Sequence, residues 1–190
     1  MNQEPPQGQS NPILRPPHAP LHLDASLAVA ARRHHLAVRA APEDVASIDA
    51  IVRATYESVS FTTGAGPDEA RLASLLTEDA KLIAVKPTGE TVETHVAGFV
   101  ARARERISQT GLMSFVEREL FRRTEVYAGI AHVFSSYEGR TCQGDGELLV
   151  RGINSIQLRH DGARWWILSI VWTEEHQSNP IPAAYLPRAW

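Results

Sequence analysis

The chain has 190 residues, 43% hydrophobic and 22% charged, a balance that allows one globular domain with a sizeable core and excludes a wholly disordered chain. A net charge of −3 excludes the strongly basic surface that nucleic acid or an anionic membrane would attract, and no apolar run approaches the roughly 20 residues that span a bilayer. The single cysteine, Cys142, excludes an internal disulfide and a cysteine-based zinc site, so a cytoplasmic protein without nucleic-acid or membrane partners is expected.

Residues 1–41 are predicted to be a flexible tail. Six of the twelve prolines fall in residues 1–20, among Gln, Asn and Ser, and such a composition offers no apolar surface for a core. A short amphipathic helix fits 24–39, capped by Asp24. A targeting role fits poorly, because Glu4 and Asp24 interrupt the segment and its apolar run is short.

The folded domain is expected over 42–176. Val45, Ile48, Val52, Tyr56 and Val59 recur at helical spacing, with Pro42 in the first turn beside Glu43 and Asp44. A second helix starts near Pro67 and buries Leu72, Leu75 and Leu76. A short strand at 80–85 and the turn "KPTG" follow. Thr94 is placed to cap a third helix, whose apolar face is Val96, Phe99, Val100, Ala103 and Ile107, and Gly111 ends it. The remainder alternates. Four β-rich stretches of around a dozen residues lie between 112 and 174, the last two joined by Asp161-Gly162. Helices followed by a meander of strands predict α+β architecture, a curved antiparallel sheet packed on three N-terminal helices. Residues 177–190 are a Pro-rich C-terminal extension.

This order of elements resembles the NTF2-like superfamily (the SnoaL-like or ketosteroid-isomerase-like cone fold). The clearest match is "RGINSIQLRHDGARWWILSIVW", which is similar to that superfamily's closing hairpin; "LASLLTEDAKLIA" is similar to its second helix and first strand. "HVFSSYEGR", "RGINSIQL" and "PIPAAYLP" resemble an uncharacterised bacterial branch. The resemblance spans about 42 to 176. It implies a cone enclosing an apolar pocket, a small apolar molecule as partner and no organic cofactor. Relatives include isomerases, dehydratases and cyclases alongside purely binding members. The strand positions that carry the catalytic acids of ketosteroid isomerases have no counterpart here, and fold alone does not assign function.

A two-residue Asp161-Gly162 loop would pair Leu158 with Trp165, Ile156 with Ile167, and Asn154 with Ser169. Both faces of that hairpin are then largely apolar, which predicts helices on one face and a homodimer through the other.

Candidate site residues follow from strand alternation. His132 alternates with Ile130 and Phe134, and is either a hydrogen-bonded structural group or a pocket acid/base. Glu117 and Glu119 share a face with Phe115 and Phe121; they point inward, where burial raises the pKa, or pair with Arg122, Arg123 or Arg151. Tyr56 is either core or an oxyanion donor. Asn154, Ser169, Trp172, Tyr137 and His95 complete the binding candidates. No GxGxxG, P-loop, GxSxG or HExxH occurs, and no His or acid spacing marks a metal site. "RARER" at 102–106 reads as a solvated mixed-charge helix face. Two functions are compatible with this pattern: a cofactor-independent enzyme of the isomerase, dehydratase or cyclase type working by general acid–base proton transfer, and a non-catalytic ligand-binding or dimerisation module.

Overall fold

The computed structural model describes residues 39–143 and 146–187, so the predicted helix at 24–39 lies outside the described residues. The chain runs through α1 (Pro42–Val45), α2 (Ile48–Val59), α3 (Glu69–Leu75), β1 (Leu76–Val85), β2 (Thr91–Thr94), α4 (Val96–Thr110), β3 (Leu112–Tyr127), β4 (Ile130–Gln143), β5 (Gly146–His160) and β6 (Trp165–Glu174). A short 3-10 turn, Ala183–Tyr185, follows. None of these helices is long and apolar enough to cross a membrane.

The first predicted helix is two. Ser47 adopts an extended backbone and its hydroxyl accepts the amide of Ala50 at 3.0 Å, which starts α2 afresh after one turn of α1. Asp68 caps α3 in the same way, accepting from Arg71 N at 2.9 Å. The sheet then begins at Leu76, four residues earlier than expected. Thr94 closes β2 and does not cap α4; His95 holds the cap position without a side-chain cap bond. Gly111 ends α4 in the left-handed conformation (φ 67°) that a glycine adopts without strain.

The six strands order as β2-β1-β6-β5-β4-β3. Every junction is antiparallel but one: β1 and β6 run parallel, so the sheet is mixed and not purely antiparallel. The helices cover its inner face. Ile51 and Val52 of α2, Leu72 and Leu75 of α3, and Val133, Ile156, Leu158 and Ile167 of the sheet are essentially fully buried there. Each contributes roughly 1.5–3 kcal/mol by leaving water.

The β5–β6 hairpin departs from its expected register. Its loop has four residues, because Asp161 accepts the amides of Ala163 and Arg164, both at 2.9 Å, and folds them into the turn. His160 therefore pairs with Trp165, Leu158 with Ile167 and Asn154 with Trp172; Asn154 and Ser169 are not partners. A bulge at Leu168 separates Leu158↔Ile167 from Gln157↔Ser169. Beyond it the alternation reverses, and the buried positions shift from Ile167 to Ile170. The three indoles consequently part. Trp172 faces the helices, edge-on to Phe99 at 6.1 Å. Trp166 lies under the Arg164 guanidinium at 3.5 Å, and Trp165 meets the His160 ring at 5.2 Å.

The C-terminal extension covers part of the sheet's outer face. Tyr185 packs on Phe134 at 5.0 Å, beneath Arg123 at 5.3 Å, while its carbonyl accepts from the buried Ser136 hydroxyl. Ile181 is buried and donates its amide to Glu175 at 2.9 Å.

Candidate active site

Between the helices and the inner face of the sheet lies an open cleft of about 470 Å³. Its walls are largely apolar: Val59, Phe61 and Phe115 on one side, Phe99, Ile170 and Trp172 on another. Four polar candidates converge inside it, Tyr56, Glu117, Tyr137 and Asn154. They come from α2, β3, β4 and β5, whose inward positions meet because Glu117 lies on the stretch of β3 from Ser114 to Glu119, between two register shifts, and β4 and β5 pair without a shift.

Glu117 is held by its backbone. After α2 the chain turns to pair Phe61 with Phe115 through amide–carbonyl bonds of 2.7 and 2.9 Å, and the Glu117 amide donates to Ser60 Oγ at 2.9 Å. Its carboxyl is thereby aimed into the cleft, where, among the described residues, the neutral amide of Asn154 is the group that hydrogen-bonds it, at 3.5 Å. Burial pushes the carboxyl up to about 7; the Asn154 amide opposes the rise and the Glu174 charge adds to it. No cation pairs with Glu117 among the described residues, in contrast to Glu119, which faces Arg122 at 3.1 Å.

Tyr56 has a different part. Asn154 Nδ2 donates to its hydroxyl at 3.2 Å, Tyr56 lies 2.7 Å from Ser135 Oγ, and Ser135 donates to Glu119 at 2.5 Å. With Asn154 donating and Glu119 accepting at the ends, the Tyr56 proton points to Ser135. Tyr56 therefore orients Asn154 and has no proton to offer a ligand. Burial holds its pKa well above the ordinary phenol value, against the bonds from Ser135 and Asn154.

Tyr137 is the free donor. The residue is 4% exposed and lines the cleft, and its hydroxyl makes no hydrogen bond among the described residues. Burial, then the charges of Glu117 and Glu174, raise its pKa far above neutral, so it stays protonated. The ring needs Gly152: a Cβ there would collide with the Tyr137 hydroxyl and with the carbonyl of Thr173.

Three candidates lie elsewhere. His132 projects from the outer face of β4, opposite in phase to Val133 and Ser135, with Nε2 3.0 Å from Ser155 Oγ and its ring 6.0 Å from Phe134. Alternation placed it beside Phe134 correctly, but that face is not the cleft. Ser169 follows the Leu168 bulge, opposite Gln157 and Lys81. His95 turns Nδ1 to the Ala80 carbonyl at 3.1 Å, tying α4 to β1. Neither lines the cleft. Arg102 and Arg106 of α4 are exposed, as a solvated helix face requires, and they also line the cleft, with Glu174 on the β6 side. The signal for them was present, since 99, 102, 103 and 106 share one helical face.

No family model matches the sequence, and no curated protein matches it. Solved structures do. A protein from Kribbella flavida superposes with a TM-score of 0.55 at 12% identity, over 69% of this chain and 90% of that one. LinA superposes with a TM-score of 0.54 at 14% identity, over 87% of this chain and 99% of that one. The hexachlorocyclohexane dehydrochlorinase LinA-type3 from Novosphingobium barchaimii gives 0.54 at 15% identity, over 75% and 94%. This is the NTF2-like fold. At such identities the likeness is one of architecture: the NTF2-like cone positions the cleft, and the side chains within it must be read on their own.

Proposed function

We propose that this NTF2-like protein is a small-molecule pocket protein that catalyses proton transfer on a largely apolar substrate without an organic cofactor. The observation that carries the reading is Glu117, an unpaired carboxyl in an apolar cleft, poised to take and return a proton near neutral pH. Glu117 would remove a proton from carbon beside a carbonyl or leaving group and return it elsewhere on the substrate, or release it to solvent after elimination. Tyr137 would donate to the oxygen that gains charge, with Asn154 holding the Glu117 carboxylate in place. The dehydrochlorinase with the same architecture supports chemistry on an apolar molecule in such a cone. The competing reading is a binding module, favoured by the chain from Asn154 through Tyr56 and Ser135 to Glu119, which is satisfied internally.

Carbon-bound deuterium incorporation in D2O, followed by NMR across a panel of cyclic ketones and enones, tests the reaction class directly. Wild type should exchange at least one compound, and Glu117→Gln should not. A Glu117 carboxyl that titrates near 4.5, read by carbon-13 NMR, would remove the basis for the catalytic reading. The same reading includes a homodimer through the outer face, where Val116 is 43% and Leu149 54% exposed on either side of Arg140. Sedimentation at micromolar concentration checks it, and a monomer removes it.

A further inference from the structure

We infer that the cleft takes a ligand with an anionic head group, a carboxylate or phosphate on an apolar body, held at its mouth by Arg102 and Arg106. The inference rests on the cleft being a small-molecule pocket, and not on the titration of Glu117.

The two arginines are one helical turn apart on α4, on the face that also brings Phe99 and Ala103 to the cleft. Like charges at that spacing repel, weakly where both are exposed as here, and a nearby carboxylate or a bound anion removes the repulsion. The neighbouring arginine on this helix is relieved in that way: Arg104 pairs with Glu69 at 2.9 Å. Arg102 and Arg106 have no such partner among the described residues, although both line the cleft. Glu174 also lines it, but from β6, and no ion pair joins it to either guanidinium. Lys86, the remaining cation of the lining, is already held by Glu90 at 3.0 Å.

The charge is therefore segregated. The two guanidinium groups, without a carboxylate partner among the described residues, are exposed on the helix side of the cleft, while Phe99 and Trp172 line its apolar wall and Tyr137 and Glu117 are its buried polar groups. A ligand of matching polarity has an anion at one end and a hydrocarbon or aromatic body. Two adjacent planar forks suit the oxygens of a carboxylate or phosphate, by charge-assisted hydrogen bonds. Such binding also sets direction, presenting the far end of the body to Glu117 and keeping the anion away from it.

Isothermal titration calorimetry with three probes of one shape tests this: 2-naphthylacetate, its neutral amide 2-naphthylacetamide, and 2-naphthyl phosphate. In wild type at least one anionic probe should bind roughly tenfold or more tighter than the amide, with a preference that shrinks as salt is added. Arg102→Gln/Arg106→Gln should bring that probe and the amide to similar affinity, whereas Arg104→Gln should keep the preference. Which anion prevails separates a carboxylate from a phosphate ligand. Equal binding of acid and amide by wild type, a preference that survives in the double variant, or no binding by any probe at millimolar concentration overturns the inference. Amide binding alone would leave the pocket reading standing, so the two failures are distinguishable.

Discussion

Among the residues of the cleft, Glu117 sets the pH behaviour. The folded protein holds its proton more tightly than an unfolded chain, whose carboxyl titrates near 4.5. The resulting stabilisation is fully present below about pH 4.5 and is lost as pH rises through about 7, by on the order of 3 kcal/mol. Glu117→Gln cannot ionise, so it should match wild type at pH 4 and exceed its thermal midpoint at pH 8 by roughly 5 °C or more. Midpoints measured across that range check the sign; a variant less stable than wild type at pH 8 would show the carboxylate to be paired. Gly152 is the second sensitive position. Gly152→Ala should lower stability by roughly 1–3 kcal/mol, as overpacking does. Adding Tyr137→Phe should not rescue it, because the Thr173 carbonyl that meets the new Cβ is backbone. Full recovery in the double variant would mean that the hydroxyl alone forbids alanine.

At the scale of elements, the closing hairpin depends on one side chain. Asp161 accepts the amides of Ala163 and Arg164 and the Trp166 indole at 2.6 Å. Burial would raise its carboxyl, yet these three donors outweigh it and hold the group down to about 2. Asp161→Ala should cost roughly 1–2 kcal/mol and expose the Ala163 and Arg164 amides to faster hydrogen exchange. Unchanged exchange there would mean that the turn stands without the carboxylate. The same hairpin marks how far the sequence could be read. Strand content followed from alternation, because side chains of a strand alternate with a period of two, but alternation left open whether Glu117 points inward or pairs with an arginine, and which face of the sheet holds Tyr137 and Asn154. The Leu168 bulge has no periodic signature, and it reassigned every β6 residue after it. Ser47 likewise divided a helix whose apolar stripe continues across the break. His132 shows the deeper limit: alternation puts residues on two faces, but only the packing of α2 and α3 says which face is inside. Arg102 and Arg106 were legible as a helical face and not as cleft lining, since their meaning depends on which carboxylates lie nearby.

For the whole molecule, the sheet's two apolar faces pose one problem with two partial solutions. The inner face is covered by helices and opens into the cleft. On the outer face, the segment after β6 brings Ile181 and Tyr185 back over the sheet, so the extension does for Phe134 and Ser136 what a second subunit would otherwise do. A chain ending at His176 should therefore lose the burial of Ile181, roughly 1.5–3 kcal/mol, together with the Tyr185 contacts. Its thermal midpoint should fall by about 5–10 °C, at the usual 2–4 °C per kcal/mol for a protein of this size. The uncovered strip of Phe134, beside the half-buried Ile153 of β5, should then promote self-association, visible in sedimentation as larger species than wild type forms at the same concentration. Glu117 should still titrate near neutral pH in the shortened chain, because no described residue after Glu174 lines the cleft. A truncated protein with unchanged midpoint and unchanged sedimentation would show that the extension rests on the sheet without stabilising it.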